Sequence, residues 1–355
     1  MFKILTINPG STSTKIAVFE DEKVLKSCTI QHAAQTLHQY KHVIDQYEFR
    51  LGHVLKYLED EKIDLSEMSA VIGRGGFLRP LQSGIYEVNE KMLNDLRQCL
   101  NGEHASNLGA VLAHELSTRS GHCKAYIVDP VVVDEFQDVA RISGLPQFPR
   151  RSTFHALNHK AIARKYAADI GTSYDKLNLV IAHLGGGISV AAHKFGRVID
   201  TNQALDGFGP FSPQRAGTMD AGALIRVIYA GIYEQEEMQS LLVGKGGLVA
   251  HLGTNDVKAA YKLAQNGDLH ARLILEAMAY GVGKEIGSML AVLEGKTDAV
   301  ILTGGMAYNE LIVNYITRMI NPMCKVVVYP GEDEMSALAL AGLRALRGEE
   351  TIKEY

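Results

Sequence analysis

Phe2-Lys-Ile-Leu-Thr-Ile-Asn8-Pro9-Gly10-Ser11-Thr12-Ser13-Thr14-Lys15-Ile-Ala-Val-Phe19 and Leu179-Val-Ile-Ala-His183-Leu184-Gly185-Gly186-Gly187-Ile188-Ser189-Val-Ala-Ala-His193 share one grammar. Each reads as an apolar strand, a turn of small residues and a second apolar strand. Laid on each other, Asn8 falls on His183 and Gly10 on Gly185. A bend without bulky side chains lets several backbone N–H groups converge on one anion, the geometry that phosphate oxygens require. One such turn is an ordinary hairpin; two suggest a duplicated phosphate clamp.

Composition narrows the class. With 355 residues, 46% of them hydrophobic and 21% charged, the chain can bury a large core, and its length favours two domains. A formal net charge of -4 and the lack of any Lys/Arg-rich tract argue against nucleic acid or an anionic membrane as partner and toward a small molecule. The start, Met1-Phe2-Lys3-Ile4-Leu5, has no basic n-region or long apolar stretch, and the expected location is cytoplasmic. Cys28, Cys99, Cys123 and Cys324 are scattered, which fits reduced thiols better than a disulfide framework or a zinc site.

Strand-like runs at 2–7, 15–19, 23–30, 124–128, 179–183, 188–193, 197–200, 299–303 and 325–329 alternate with amphipathic stretches, so the fold class is α/β. Asn89 is placed to cap a helix over 90–100. Ser106 precedes one running to Arg119 and ended by Gly121, and Ser152 or Thr153 opens one to about Ile170. The longest helical pattern covers 269–293, and 336–346 supplies the last. Two prolines and a glycine in 144–151 mark the expected hinge. The first domain is thus read as 1–150 with the C-terminal helix at 336–355 packed back on it, and the second as 151–335.

The motifs Asn8-x-Gly10-Ser11-Thr12-Ser13-x-Lys15, Arg74-Gly75-Gly76, Val128-Asp129-Pro130, Phe154-His155-Ala156, Ala182-His183-Leu184-Gly185-Gly186-Gly187, Phe211-Ser212-Pro213-Gln214-Arg215, Leu302-Thr303-Gly304-Gly305 and Tyr329-Pro330-Gly331-Glu332-Asp333-Glu334-Met335 follow one another along the chain. In order and spacing they resemble the butyrate kinases of the acetate kinase family, a branch of the actin, sugar kinase and heat-shock ATPase fold. The resemblance implies two duplicated actin-like ATPase (ribonuclease H-like) domains with a nucleotide cleft between them. It also implies reversible phosphoryl transfer between ATP and a short-chain carboxylate, with magnesium, by a dimer or higher homo-oligomer.

The residues fit that chemistry. Moving a phosphoryl group onto a carboxylate brings two anions together, so a site must neutralise both while holding them in line. Arg74 and Arg215 stand beside glycine or proline turns, and a guanidinium forks onto carboxylate or phosphate oxygens. By resemblance, Arg74 binds the substrate carboxylate and Arg215 the phosphoryl group in flight. Asp129 ends an apolar strand, where open sheets present catalytic groups; a blander reading makes it a cap on the turn at Pro130. Asn8, Asp129 and one of Glu332, Asp333 and Glu334, with Glu334 the choice, are the expected magnesium contacts, although helix capping explains any of the three acids nearly as well.

His155 and His159, four apart, would share a helix face, but no third zinc ligand is evident. The resemblance makes His155 a donor to a phosphoryl oxygen and leaves His159 to packing. The two bends place Asn8, Ser11, Thr12, Ser13, Lys15, Gly185, Gly186 and Gly187 on the nucleotide phosphates and His183 on those phosphates or on the transferring group, and the pair Gly304-Gly305, third after two such hairpins, reads as the adenosine site. Gly75 and Gly76 replace bulky residues found in acetate kinases, so a deeper acyl pocket walled by Phe77, Leu78 and Phe154 is expected, favouring butyrate or isobutyrate. Replacing Gly76 with Val should then shift preference toward acetate. The alternatives are an acetate or propionate kinase, an ATP-dependent conformational switch without acyl transfer, and a sugar kinase, which would need a carboxylate base that an ionised acid does not.

Overall fold

The computed structural model describes residues 1–355 and divides into two compact units. One comprises Met1–Val133, Ala156–Asn158 and Asp333–Tyr355; the other comprises Asp134–His155 and His159–Glu332. The chain changes unit at Val133, ahead of the 144–151 segment, re-enters the first for Ala156–Asn158 and returns to it finally at Asp333.

The first unit holds a six-stranded sheet. Its strands are β1 (Lys3–Pro9), β2 (Ser13–Glu20), β3 (Lys23–Gln31), β4 (Ala70–Arg74), β5 (Ile85–Glu87) and β6 (Lys124–Val128), in spatial order β3-β2-β1-β4-β6-β5. The β1-β2-β3 meander is antiparallel; β1, β4 and β6 run parallel. Because strand side chains alternate in direction, Leu5, Ile7, Val71 and Ile127 join one core while Ile4 and Ile72 face the Glu334–Leu346 helix at Gly342. Each buried aliphatic side chain of this kind contributes about 1.5–3 kcal/mol. Gly73 lets β4 touch the Asn107–Ser120 helix: a Cβ there would sit 2.2 Å from the carbonyl oxygen of Gly109.

The second unit repeats the plan. Strands β7 (Asn178–Leu184), β8 (Ile188–Lys194), β9 (Arg197–Thr201), β10 (Ala299–Gly304) and β11 (Val326–Pro330) take the order β11-β10-β7-β8-β9. Read from the other edge, this is the β3-β2-β1-β4-β6 order of the first sheet, with the same antiparallel and parallel pairings. Val180, Ala182, Val300 and Leu302 pack under the long Leu269–Val292 helix, and Leu179, Ile181, Ala299 and Ile301 pack with Ala163, Tyr166 and Ala167 on the opposite face.

Several local expectations change. Residues 70–74, outside the strand-like runs, form strand β4, and β5 is an additional short strand. Asn89 caps its helix by accepting from the Met92 N–H, whereas Ser106 makes no side-chain cap. The helix expected from Ser152 or Thr153 begins at Ala156, with His155 at its cap position, so His155 and His159 do not share a helix face. The last helix opens at Glu334, capped by Asp333, whose carboxylate accepts from the Ser336 N–H. All four cysteines are free, and no helix is long and apolar enough to cross a membrane.

Candidate active site

In the first unit, Asn8, Arg74 and Asp129 stand at the carboxyl ends of the adjacent parallel strands β1, β4 and β6, where open α/β sheets gather ligands. Arg74 Nη1 lies 3.1 Å from Glu334 Oε1 and donates to Asn8 Oδ1 at 3.3 Å. The Asn8 amide donates in turn to Glu334. Asp333 takes the capping duty, which frees Glu334 to enter this cluster. Asp129 has φ +37, unusual for a residue with a side chain. Its carboxylate accepts from Ser83 Oγ at 2.6 Å and the Gly84 N–H at 2.8 Å, and its own N–H donates to the Gly84 carbonyl.

The Gly10–Ser13 bend joins β1 to β2 and leaves Ser11 and Thr12 at the surface; the Gly10 N–H donates to the Ser13 carbonyl at 2.8 Å. Lys15, half-buried on β2, sits opposite Asn8. Gly75 and Gly76 are accounted for by packing and not by an acyl cavity. A Cβ on Gly75 would lie 2.5 Å from Pro130 Cβ, and one on Gly76 would lie 2.6 Å from Asn107 Cα and 2.8 Å from its nitrogen. The space is already filled, so the pocket-depth expectation fails, and Gly76→Val would disturb the fold instead of shortening the pocket. Leu78 is a core residue for the same reason, while Phe77 packs edge-on to His104.

In the second unit the β7–β8 bend repeats the first, with the Gly185 N–H donating to the Gly187 carbonyl. Its three glycines have different neighbours. A Cβ on Gly185 would come 2.8 Å from His183 Nε2, and one on Gly187 would strike the Arg215 guanidinium, 2.4 Å from Cζ, whereas one on Gly186 would meet only Gln214 Oε1, at an ordinary 3.5 Å. Arg215 donates to the Ala204 carbonyl, and burial pulls its pKa below the ordinary guanidinium value, with Asp206 opposing.

Above this bend His155 and His183 stack, ring centroids 4.0 Å apart, and His183 Nε2 lies 3.4 Å from Glu332 Oε2. His155 Nδ1 meets Ser189 Oγ at 2.8 Å, and the same oxygen meets His159 Nε2 at 2.9 Å. The line continues from His159 Nδ1 to His193 Nε2 at 3.2 Å and from His193 Nδ1 to the Tyr174 hydroxyl at 2.6 Å. Burial holds His159 and His193 well below the usual imidazole pKa, so both are neutral at neutral pH. His155 and His159 are therefore joined through Ser189, not as a metal pair.

Beside Gly186 the second unit contains a cavity of about 650 Å³ lined by Gln214, Asn255, Lys258, Gly305 and Tyr308 among others. The two glycines after β10 divide their work. Gly304 has φ +90, and a Cβ on it would meet the Leu184 carbonyl oxygen at 2.5 Å, so it serves the close approach of two strand ends. Gly305 faces open space in the cavity wall.

The sequence profile of the acetokinase family matches residues 147–325. Over 354 residues, covering 100% of this chain and 99% of the relative, the sequence is 51% identical to butyrate kinase 2 of Clostridium acetobutylicum. The chain belongs to the acetokinase family. Its fold is that of solved members: the acetate kinase of Porphyromonas gingivalis superposes with a TM-score of 0.80 at 20% identity, covering 98% of this chain and 100% of that one. A propionate kinase from Francisella tularensis superposes with a TM-score of 0.78 at 20% identity, covering 96% and 99%. The two units are accordingly the duplicated actin-like ATPase domains of acetokinases.

Against this acetokinase frame, the candidate residues fall into two groups. Asn8, Arg74 and Glu334 come together in the first unit, with Asp129 on the neighbouring strand end; His155, His183, Gly185, Gly186, Gly187 and Arg215 come together in the second. Sequence reasoning missed Asn255, Lys258 and Tyr261 of the cavity wall, which lie outside every glycine motif. It also missed Ser189, Tyr174 and His193, whose only signal was that Ser189 closes the second hairpin.

Proposed function

We propose that this chain phosphorylates a short-chain carboxylic acid with ATP, butyrate or isobutyrate favoured, giving ADP and an acyl phosphate in a reversible, direct transfer. The observation that carries the reading is the full-length 51% identity to the protein named butyrate kinase 2. A carboxylate oxygen of the acid attacks the γ-phosphorus, the bond to the β,γ-bridging oxygen breaks, and its electron pair leaves with ADP. The acid is already ionised, so no general base is needed.

In this reading Arg74 anchors the acid carboxylate, exchanging its pairing with Glu334 for the substrate. Arg215 and a ring N–H of His155 neutralise the phosphoryl oxygens, and Asp129, held by Ser83 and Gly84, supports the reacting region. Ser11, Thr12, Ser13, Lys15, His183 and the Gly185–187 bend hold phosphates; Gly304 shapes and Gly305 lines the adenosine cavity. The donor set suits magnesium, which keeps waters and takes few protein ligands. Asn8 and Glu334 offer an amide and a carboxylate side by side, and no group of three or more His, Cys, Asp or Glu is assembled for a more demanding ion. Asn8, Glu334 and Asp129 would hold it, directly or through water, and when bound it would neutralise phosphate charge.

The domain carrying the acid site is proposed as 1–150 with the C-terminal helix, and the nucleotide domain as 151–335. The enzyme is proposed to work in the cytoplasm as a homodimer or larger homo-oligomer. Trapping of acyl phosphate by hydroxylamine, with ATP, magnesium and acids of two to six carbons, tests the activity: butyrate or isobutyrate should give the most hydroxamate. Best turnover of acetate or propionate would move the chain to those kinases, and no hydroxamate with any acid would sink the proposal.

A further inference from the structure

Behind the first phosphate bend lies a cation that the proposed phosphoryl transfer does not use. Arg50, on the Tyr47–Asp60 helix, is fully buried. Its guanidinium donates to the Ser13 carbonyl at 2.9 Å, the Ser11 carbonyl at 3.2 Å, Thr14 Oγ1 at 3.1 Å, and Gln46 Oε1 at 3.0 and 2.9 Å. Every one of these acceptors is neutral. Burial draws the group down to about 10, which leaves it charged at neutral pH. The neighbouring His32, bonded to Thr14 Oγ1 through Nε2, is held near 4 by burial and by the Arg50 charge, so it adds no second cation.

A buried charge paired with no opposite charge is costly and calls for a compensating anion. The bend itself points to where that anion sits. The carbonyls of Ser11 and Ser13 turn inward to Arg50, and the Thr12 carbonyl accepts from the His32 N–H at 2.9 Å. With all three oxygens satisfied from within, the N–H groups of Ser11 and Thr12 donate to nothing in the protein. Outward amides backed by a buried cation make an anion site of higher affinity than a glycine-rich bend alone.

We propose that Arg50 is the positioning residue of the 10–13 bend: it turns the carbonyls away from the bound polyphosphate, and its charge is balanced by that anion. The inference rests on the reading of this bend as a phosphate contact. Isothermal titration of ATP, ADP and adenosine, each with magnesium, into wild type, Arg50→Lys and Arg50→Met separates it from a structural role. Arg50→Met should weaken ATP by about 10–100-fold while changing adenosine less than about twofold. Arg50→Lys keeps the charge but not the fork, and should weaken ATP by about 3–10-fold. Should the Met variant fail to fold, the ratio of ATP to adenosine affinity in the Lys variant decides; a change below about threefold overturns the proposal. Parallel loss of ATP and adenosine, or no loss of either, overturns it as well. Wild type that binds no ATP would instead sink the kinase reading, and the compensating anion with it.

Discussion

Replacing Ser189 with Ala removes one oxygen that meets two imidazole rings. Ser189 is fully buried, and its hydroxyl lies 2.8 Å from His155 Nδ1 and 2.9 Å from His159 Nε2. It has one proton to give, so it can donate to only one of the two rings. Tyr174 fixes the direction: a phenol is a stronger acid than a neutral imidazole, so its hydroxyl donates to His193 Nδ1. His193, neutral, then donates from Nε2 to His159 Nδ1, His159 from Nε2 to Ser189, and Ser189 to His155 Nδ1. His155 is left with its proton on Nε2, ready to face an anion. In the Ala variant the buried His159 Nε2 loses its partner at a cost of about 1–3 kcal/mol, read as a lower urea midpoint with unchanged slope. Water can reach the half-buried His155, so its loss is one of orientation. We expect kcat to fall about tenfold, equivalent to about 1.4 kcal/mol of transition-state stabilisation, with KM for the acid little changed. The assay is hydroxamate formation at saturating ATP, repeated in a His155→Ala background where Ser189→Ala should cost nothing further. A folded Ser189→Ala enzyme with wild-type kcat, or additive losses in the double variant, would refute the reasoning.

Arg74→Ala should lower kcat/KM by about 100-fold or more and raise KM for the acid further than KM for ATP; equal losses for both substrates would contradict the carboxylate anchor. Gly76→Ala forces a Cβ against the Asn107 backbone and should destabilise the fold by about 1–3 kcal/mol in chemical denaturation, with no change in the ranking of acids. Gly305→Val projects into the open cavity, so KM for ATP should rise while stability and KM for the acid hold; the reverse pattern would move the adenosine site elsewhere. His32 has a folded pKa of about 4 against an ordinary 6.5, so the unfolded chain binds more protons between those values. Its contribution to stability is present above about 6.5 and lost as pH falls toward 4, a slope that His32→Gln should flatten in denaturation measured across that range.

Strands β1, β2, β7, β8 and β10 were legible because their β-branched runs are almost wholly buried and read as near-continuous apolar stretches, whereas the largely exposed β3 showed itself by its β-branched content. The hairpin bends were legible because a run of small residues between two such stretches leaves the chain little to do there but turn. Two kinds of feature were not. The helix opening at Ala156 is delayed by His155, whose ring is held by Ser189 34 residues away, and no local propensity encodes that contact. The pair Gly75-Gly76 was misread because a missing side chain marks either an empty space or a neighbour too close for one, and only the positions of Pro130 and Asn107 decide. Among the acids before the last helix, the choice of Glu334 over its neighbours became interpretable only when Asp333 was seen to accept the Ser336 N–H.

On the proposed reading, the duplication accounts for the different parts the two halves take. The three parallel strands of each sheet end at corresponding points: β1 with β7, β4 with β10, β6 with β11. At these points the first unit carries Asn8, Arg74 and Asp129, whereas the second carries His183, Gly304 and Gly331. Where Arg74 reaches a carboxylate, Gly304 and Gly331 instead bond backbone to backbone, N–H to carbonyl at 3.0 and 2.9 Å, closing the strand ends so that Gly305 can form a wall. Charge at one set of strand ends suits a small anion that must be gripped and neutralised. Bare backbone at the other suits a flat, largely uncharged ring that must be approached closely. An exchange of these residue types would fail for a steric reason before an electrostatic one, because any side chain at Gly304 meets the Leu184 carbonyl at 2.5 Å. On that reading the division of labour is built into the backbone of each sheet and not only into its side chains.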